Sequence, residues 1–171
     1  MSQQSGRQHG REQGVGLIEV LIALIVMSLG LLVSVNMQLQ SIRTNQDSYY
    51  QSQALMLANE MMDRMIGNPE GVADGKYDDE ETTASATAPS CDTGCSAAQL
   101  AQLDLFEWSA KLHDLRDESS YIPLLPPSAN GTSASGKISK DTAGVYTVTM
   151  FWKRMDGDTE VQEALPVKFM P

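Results

Sequence analysis

The sequence is poor in the residues on which most catalytic and metal-binding sites depend. It has two cysteines and two histidines among its 171 residues. It contains no P-loop, no G-x-S-x-G motif and no Cys/His set at zinc spacing. No acid–base pair with a supporting residue is present either. These absences argue against an enzyme, and we expect neither a cofactor nor a metal site.

Positive charge is also scarce. Twelve Lys and Arg residues stand against 22 Asp and Glu residues, which gives a net charge of -10 at pH 7. Nucleic-acid binding requires clustered basic residues, and beyond Arg43 only Lys153 and Arg154 stand side by side. We therefore expect no nucleic-acid partner, and a DNA-uptake function is disfavoured.

The most prominent feature is the apolar run over residues 15–35, VGLIEVLIALIVMSLGLLVSV. At about 1.5 Å per residue, a helix of this length spans roughly 31 Å, which matches a bilayer core of about 30 Å. Arg7 and Arg11 precede the run and the next basic residue is Arg43, so the amino end should stay in the cytoplasm. An ordinary secretory signal is shorter and ends in a small-residue cleavage site.

Glu19 is the one charge inside this run. A carboxylate at membrane depth costs on the order of 2.5–3.5 kcal/mol, and such a residue normally marks a function with a partner. No Lys, Arg or His lies within residues 15–35. The counter-charge must therefore come from another chain or from a new amino terminus, which a plain membrane anchor does not explain.

A polar leader that ends at Gly14 precedes the LIEVLIAL core of the run. This pattern resembles the class III signal of type IV prepilins and pseudopilins, although Val15 and Gly16 depart from its commoner residues. The resemblance implies that a prepilin peptidase cuts between Gly14 and Val15 and methylates the amine of Val15. It also implies that Glu19 pairs with the amine of a neighbouring subunit.

The same resemblance implies a division of the chain and a location. Residues 1–14 would be a leader that is removed, residues 15–37 a transmembrane and filament-core helix half, and residues 38–171 a periplasmic head. The protein would cross the bacterial inner membrane once, with a cytoplasmic amino terminus, before it joins a surface pilus.

The stretch QALMLANEMMDRMIGNPEG resembles the end of the long helix in PilV-type minor pilins, the type IV pilus modification proteins. The matching residues are Ala54, Leu57, Ala58, Met62, Asp63, Arg64, Met65 and Asn68. This resemblance implies a minor pilin of a priming complex at or near the pilus tip, which supports adhesion and twitching motility. Its partners would be other minor pilins, the major pilin and a tip adhesin. A type II secretion pseudopilin is the main alternative, and a bitopic periplasmic enzyme is a more distant one.

Periodicity predicts an α+β pilin fold with a long N-terminal helix, transmembrane and then amphipathic, on a small C-terminal antiparallel β-sheet. Apolar steps of three and four extend the helix to residue 66, where Gly67, Asn68 and Pro69 stop it. One buried stripe is expected, formed by Leu39, Ile42, Tyr49/Tyr50, Ala54, Leu57/Ala58, Met61 and Met65. Asp63 and Arg64 are either solvated or, by hypothesis, fix the head on this helix.

The remaining elements are predicted from local signals. A capping box at Ser96 and Gln99 opens an additional short helix over residues 97–116, with His113 on its surface. Alternation predicts strands over 145–154 and 159–169, joined by a turn over 155–158, and Pro166 places the second strand at an edge. Segments 70–89 and 130–144 are predicted loops.

Cys91 and Cys95 enclose the short loop C-D-T-G-C on the exported side. In an oxidising periplasm they should form a disulfide. A zinc site would need further ligands, and redox catalysis favours the spacing C-x-x-C.

Overall fold

The computed structural model describes residues 16–91, 94–117, 120–127, 133–156 and 159–171. The predicted cleavage and methylation positions, Gly14 and Val15, lie outside these residues. The chain divides into two units, Met1–Thr44 and Asn45–Pro171, and each is described by itself.

A single helix, α1, covers Leu17–Gly67. In the first unit every described residue is exposed, and the large apolar side chains from Leu17 to Met37 are 47–80% exposed. This part of α1 is long and apolar enough to cross a membrane. The predicted long helix is confirmed within a residue or two at either end.

In the second unit α1 buries one face. Its buried residues are three or four positions apart, as one face of a helix requires: Ala54, Leu57, Ala58, Met61 and Met65. Contacts with the core begin at Tyr50, which is half-buried. The expected stripe is therefore wrong at Leu39, Ile42 and Tyr49, which are 51–55% exposed.

Within the described residues, three antiparallel strands form the sheet, in the order β1-β2-β3: Ser135–Lys140, Tyr146–Asp156 and Thr159–Phe169. The alternate residues Tyr146, Val148, Met150 and Trp152 of β2 are buried, as predicted. β3 is an edge strand, which confirms the interpretation of Pro166. β2 continues through Asp156, and Gly157 and Asp158 of the predicted turn lie outside the described residues.

The prediction of a loop over 130–144 is wrong, because residues 135–140 form β1. This strand, SGKISK, has one large apolar residue, Ile138, so its sequence carries almost no alternation signal. Gly136 explains how the strand fits. A Cβ atom at this position would lie 2.4 Å from the Trp108 ring, so β1 can approach the indole only where there is no side chain.

In the part of the head that the structure describes, two short helices accompany α1 and the sheet. α2, Pro69–Ala73, follows α1 after Asn68, so the prediction of a loop over 70–89 is wrong at its start. α3, Ala97–Ser109, has the predicted capping box between Ser96 and Gln99. The buried faces of α1 and α3 share one core with the inner side of the sheet, with Tyr77 and with Leu125.

α3 ends well before the predicted residue 116. After Ser109 the backbone turns, and the N–H groups of Leu112 and His113 both donate to the Ser109 carbonyl. The apolar period continued to Leu112 because that side chain is buried, although the helix has already ended. The placement of His113 on a helix surface is also wrong. Its two ring nitrogens are buried, and no described residue hydrogen-bonds to them.

Candidate assembly surfaces

Glu19 lies in the first turn of α1, where its backbone N–H donates to the Gly16 carbonyl at 2.9 Å. The carboxylate is exposed, and its position near the positive end of the helix dipole is favourable. The nearest basic residue along the helix is Arg43, about 36 Å away. In the first unit, α1 is therefore an exposed apolar helix with one carboxylate, that of Glu19, near its amino end.

A polar network joins α1 to α3 in the second unit. Arg64 of α1 donates to Glu60 Oε1 at 3.0 and 3.2 Å and to Asp104 Oδ1 of α3 at 3.1 Å. Lys111 also donates to Glu60. Burial alone would raise the pKa of Glu60, but the hydrogen bonds from Lys111 and Arg64 outweigh it and hold that pKa below its usual value. We call Glu60, Arg64, Asn68, Tyr77, Asp104 and Lys111 the Arg64 network.

Asp104 is the buried centre of the Arg64 network, with 4% exposure. The Tyr77 hydroxyl donates to Asp104 Oδ2 at 2.6 Å, and Asn68 Nδ2 donates to the Tyr77 oxygen at 2.9 Å and to the Ala97 carbonyl at 2.8 Å. Burial and the bond to Asp104 both raise the pKa of Tyr77, so its hydroxyl stays protonated as a donor. Both oxygens of the buried carboxylate are therefore satisfied, one of them by a cation.

Most residues of the PilV-like stretch lie in this connection between helix and head. Ala54, Leu57, Ala58, Met65 and Asn68 are buried, and Met62 is half-buried against the core. Arg64 fixes the head through Asp104, as hypothesised, whereas Asp63 is exposed and solvated.

Sequence reasoning missed Asp104 and Tyr77. A signal for Asp104 was present, because it lies three residues after Ala101 and four before Trp108, on the buried face of α3. An acid on an apolar face needs a buried cation or donor. Tyr77 gave no such signal, since it lies in an irregular segment with no period.

The opposite face of α1 in the second unit is open. Leu55, Met56 and Ile66 are 44–56% exposed. Leu55 and Met56 line a shallow groove with Ser52, Asn59 and Asp63. Exposed apolar side chains beside polar ones are a common feature of surfaces that pack on another protein.

Cys91 and Cys95 form a disulfide directly before α3. Gln99 joins both sides of this short loop, because its side chain accepts from the Ser96 N–H at 3.0 Å and donates to the Ser90 carbonyl at 3.0 Å. The disulfide and the Gln99 side chain therefore both constrain the segment that leads into α3. Among the described residues, no group of three or more His, Cys, Asp or Glu side chains is placed to bind a metal ion.

Comparison with known families supports this architecture. A family model described as Tt1218-like, type IV pilin Tt1218, matches residues 36–106. This match supports a type IV pilin family for the chain. The matched region contains Glu60, Arg64, Tyr77 and Asp104, and so most of the Arg64 network. No curated protein and no solved structure matches the chain significantly.

Type IV pilins are a structural family without catalytic activity, and their subunits act by assembling with other pilus components and the membrane. The exposed apolar half of α1 agrees with a single-pass pilin of the inner membrane.

Proposed function

We propose that this protein is a minor pilin of the PilV type that helps to start assembly of a type IV pilus, at or near its tip. In this function it supports adhesion and twitching motility. The exposed first unit of α1 carries the proposal, because a helix this apolar must be buried in lipid or among neighbouring helices. Burial stabilises the assembly by roughly 25 cal/mol per Å² of apolar surface.

Maturation supplies the charge that Glu19 needs. A prepilin peptidase removes residues 1–14 on the cytoplasmic side and methylates the amine of Val15. In the assembly, that amine on a neighbouring subunit pairs with Glu19 and fixes the axial register of the helices. The other partners are minor pilins, the major pilin and a tip adhesin.

Mass spectrometry of the mature protein tests this processing. We expect a chain that starts at methylated Val15, and an unprocessed membrane form when Gly14 is replaced by a large residue. A mature chain that starts at Met1 contradicts the proposal. Copurification with pilus minor pilins, rather than with secretion pseudopilins, separates the proposal from its main alternative.

The function of Glu19 is tested by the Glu19→Ala variant. We expect normal cleavage but no working pilus, because the register of the helices is lost. Ser34→Ala is the matched control, since it removes an exposed polar side chain of the same apolar helix and no charge. Wild-type piliation with Glu19→Ala contradicts the pairing, even if processing is as proposed.

A further inference from the structure

The two edges of the sheet differ. The β1 edge is covered by the segment before it, where the Thr82 N–H donates to the Gly136 carbonyl at 2.9 Å and the Ile138 N–H donates to the Glu80 carbonyl at 2.7 Å. The other edge is β3. Among the described residues, no backbone hydrogen bond joins β3 to any element except β2. One edge of the sheet therefore has backbone groups available for another strand.

Pro166 shows which backbone groups point outward. Proline has no N–H, so in a paired strand its nitrogen faces the free side. Gln162 and Ala164 are two and four residues before Pro166, and their N–H groups face the same side as its nitrogen. The segment from Thr159 to Leu165 contains no Pro, Gly or Lys, and its charged residues are Glu160 and Glu163.

A groove lies beside this edge, where an added strand would place its side chains. It has a volume of about 170 Å³ and lies between α1 and β3 within the second unit. Trp152, Ala164 and Leu165 are its apolar residues, and Asp47 and Gln51 of α1 form its polar wall. An eleven-residue edge strand with a side-chain groove next to it is the geometry of β-strand addition.

The charge of the groove indicates the kind of strand that fits. Arg154 is its only cation among the lining residues, and its Nε donates to Glu163 at 2.5 Å. Asp47 and Asp156 also act electrostatically on Arg154. The groove lining thus holds two carboxylates, those of Asp47 and Glu163, and one guanidinium, so a second cationic side chain would be attracted here.

We propose that the β3 edge binds an extended segment of a partner protein, which pairs with residues 160–165 and places a Lys or Arg side chain at the groove. A second copy of this chain is a poorer occupant, because its own β3 would bring Glu160 and Glu163 towards the same carboxylates. The inference goes beyond the proposed function and does not depend on it.

The test supplies such a strand within the full chain, purified in detergent. A tail of about nine alternating Val and Lys residues follows Pro171 through a short Gly/Ser linker, which keeps its local concentration high. A matched tail carries Glu in place of Lys. The measurement is amide hydrogen exchange at Gln162, whose N–H faces the free edge.

We expect the Val/Lys tail to slow exchange at Gln162 at least about tenfold, and the Val/Glu tail to have a much smaller effect. Ala164→Pro should abolish the protection, because it removes an outward donor without removing a bond to β2. Ala164→Val, which keeps the N–H, should retain it. Circular dichroism verifies that both variants are folded.

Three results would overturn the proposal: no protection by either tail, equal protection by both, or protection that survives Ala164→Pro. Self-association of the untailed chain that Ala164→Pro abolishes, measured by sedimentation, would also overturn it by making a second copy the occupant. None of these measurements depends on pilus assembly, so the proposed function can fail or succeed independently.

Discussion

Replacement of Asp104 by Ala should strongly destabilise the head. The substitution removes two charge-assisted hydrogen bonds, from Arg64 at 3.1 Å and from Tyr77 at 2.6 Å. It also leaves the Tyr77 hydroxyl buried without its acceptor. Breaking a buried ion pair costs about 3–5 kcal/mol. In the variant, Arg64 retains its ion pair with Glu60 and is partly exposed to solvent, so the cost should lie at the lower end of this range. We therefore expect the free energy of unfolding to fall by about 3 kcal/mol.

Urea unfolding of the detergent-solubilised full chain measures this loss. Fluorescence of the buried Trp108 on α3 reports the transition of the head. Asp63→Ala is the matched control, because Asp63 is an exposed acid on the same helix as Arg64, and its loss should change stability by less than about 0.5 kcal/mol.

A double-mutant cycle sharpens the test. Asp104 and Tyr77 share one short hydrogen bond, so the effects of Asp104→Ala and Tyr77→Phe should be non-additive by about 1 kcal/mol. If Asp104→Ala unfolds at the same urea concentration as Asp63→Ala, the Arg64 network contributes nothing and the reasoning is refuted.

Three further predictions concern other parts of the head. Burial lowers the pKa of His113, so as the pH falls the unfolded chain binds a proton before the folded chain does, and stability should fall below about pH 6.5. His113→Leu should remove this part of the pH dependence in urea titrations, and an unchanged pH profile would contradict the prediction. Gly136→Ala should cost about 1–3 kcal/mol, because the new methyl group meets the Trp108 ring, and a melting temperature equal to wild type would contradict this contact. Thiol labelling without reductant should find no free cysteine, and two labelled thiols would exclude the bridge. Reduction should lower the free energy of unfolding by about 2 kcal/mol, which is the chain-entropy effect expected for so short a loop.

Local signals explain which elements the sequence could predict. The helix stop at Gly67, the Ser96–Gln99 capping box and the alternation of β2 each depend on residues a few positions apart, and all three are confirmed. β1 could not be predicted, because it is held by a contact between Gly136 and Trp108 rather than by its own pattern.

The Arg64 network was predictable only in part for the same reason. The bond from Arg64 to Asp104 joins residues 40 positions apart, and periodicity contains no information on such pairs. The buried face of α1 predicted that a head packs there, but not which acid would receive the guanidinium. His113 was misplaced because the apolar period cannot distinguish a helix from a turn that returns Leu112 to the core.

The connection between α1 and the head has a practical consequence for chimeras. Head exchange between pilins invites a junction at Gly67, where the long helix visibly ends. Such a junction would keep Arg64 from one parent and take the residue at position 104 from the other, leaving a guanidinium opposite an unrelated side chain. A junction before Tyr50 takes the buried face of α1, Arg64 and Asp104 from the same parent. Such hybrids should fold as well as either parent.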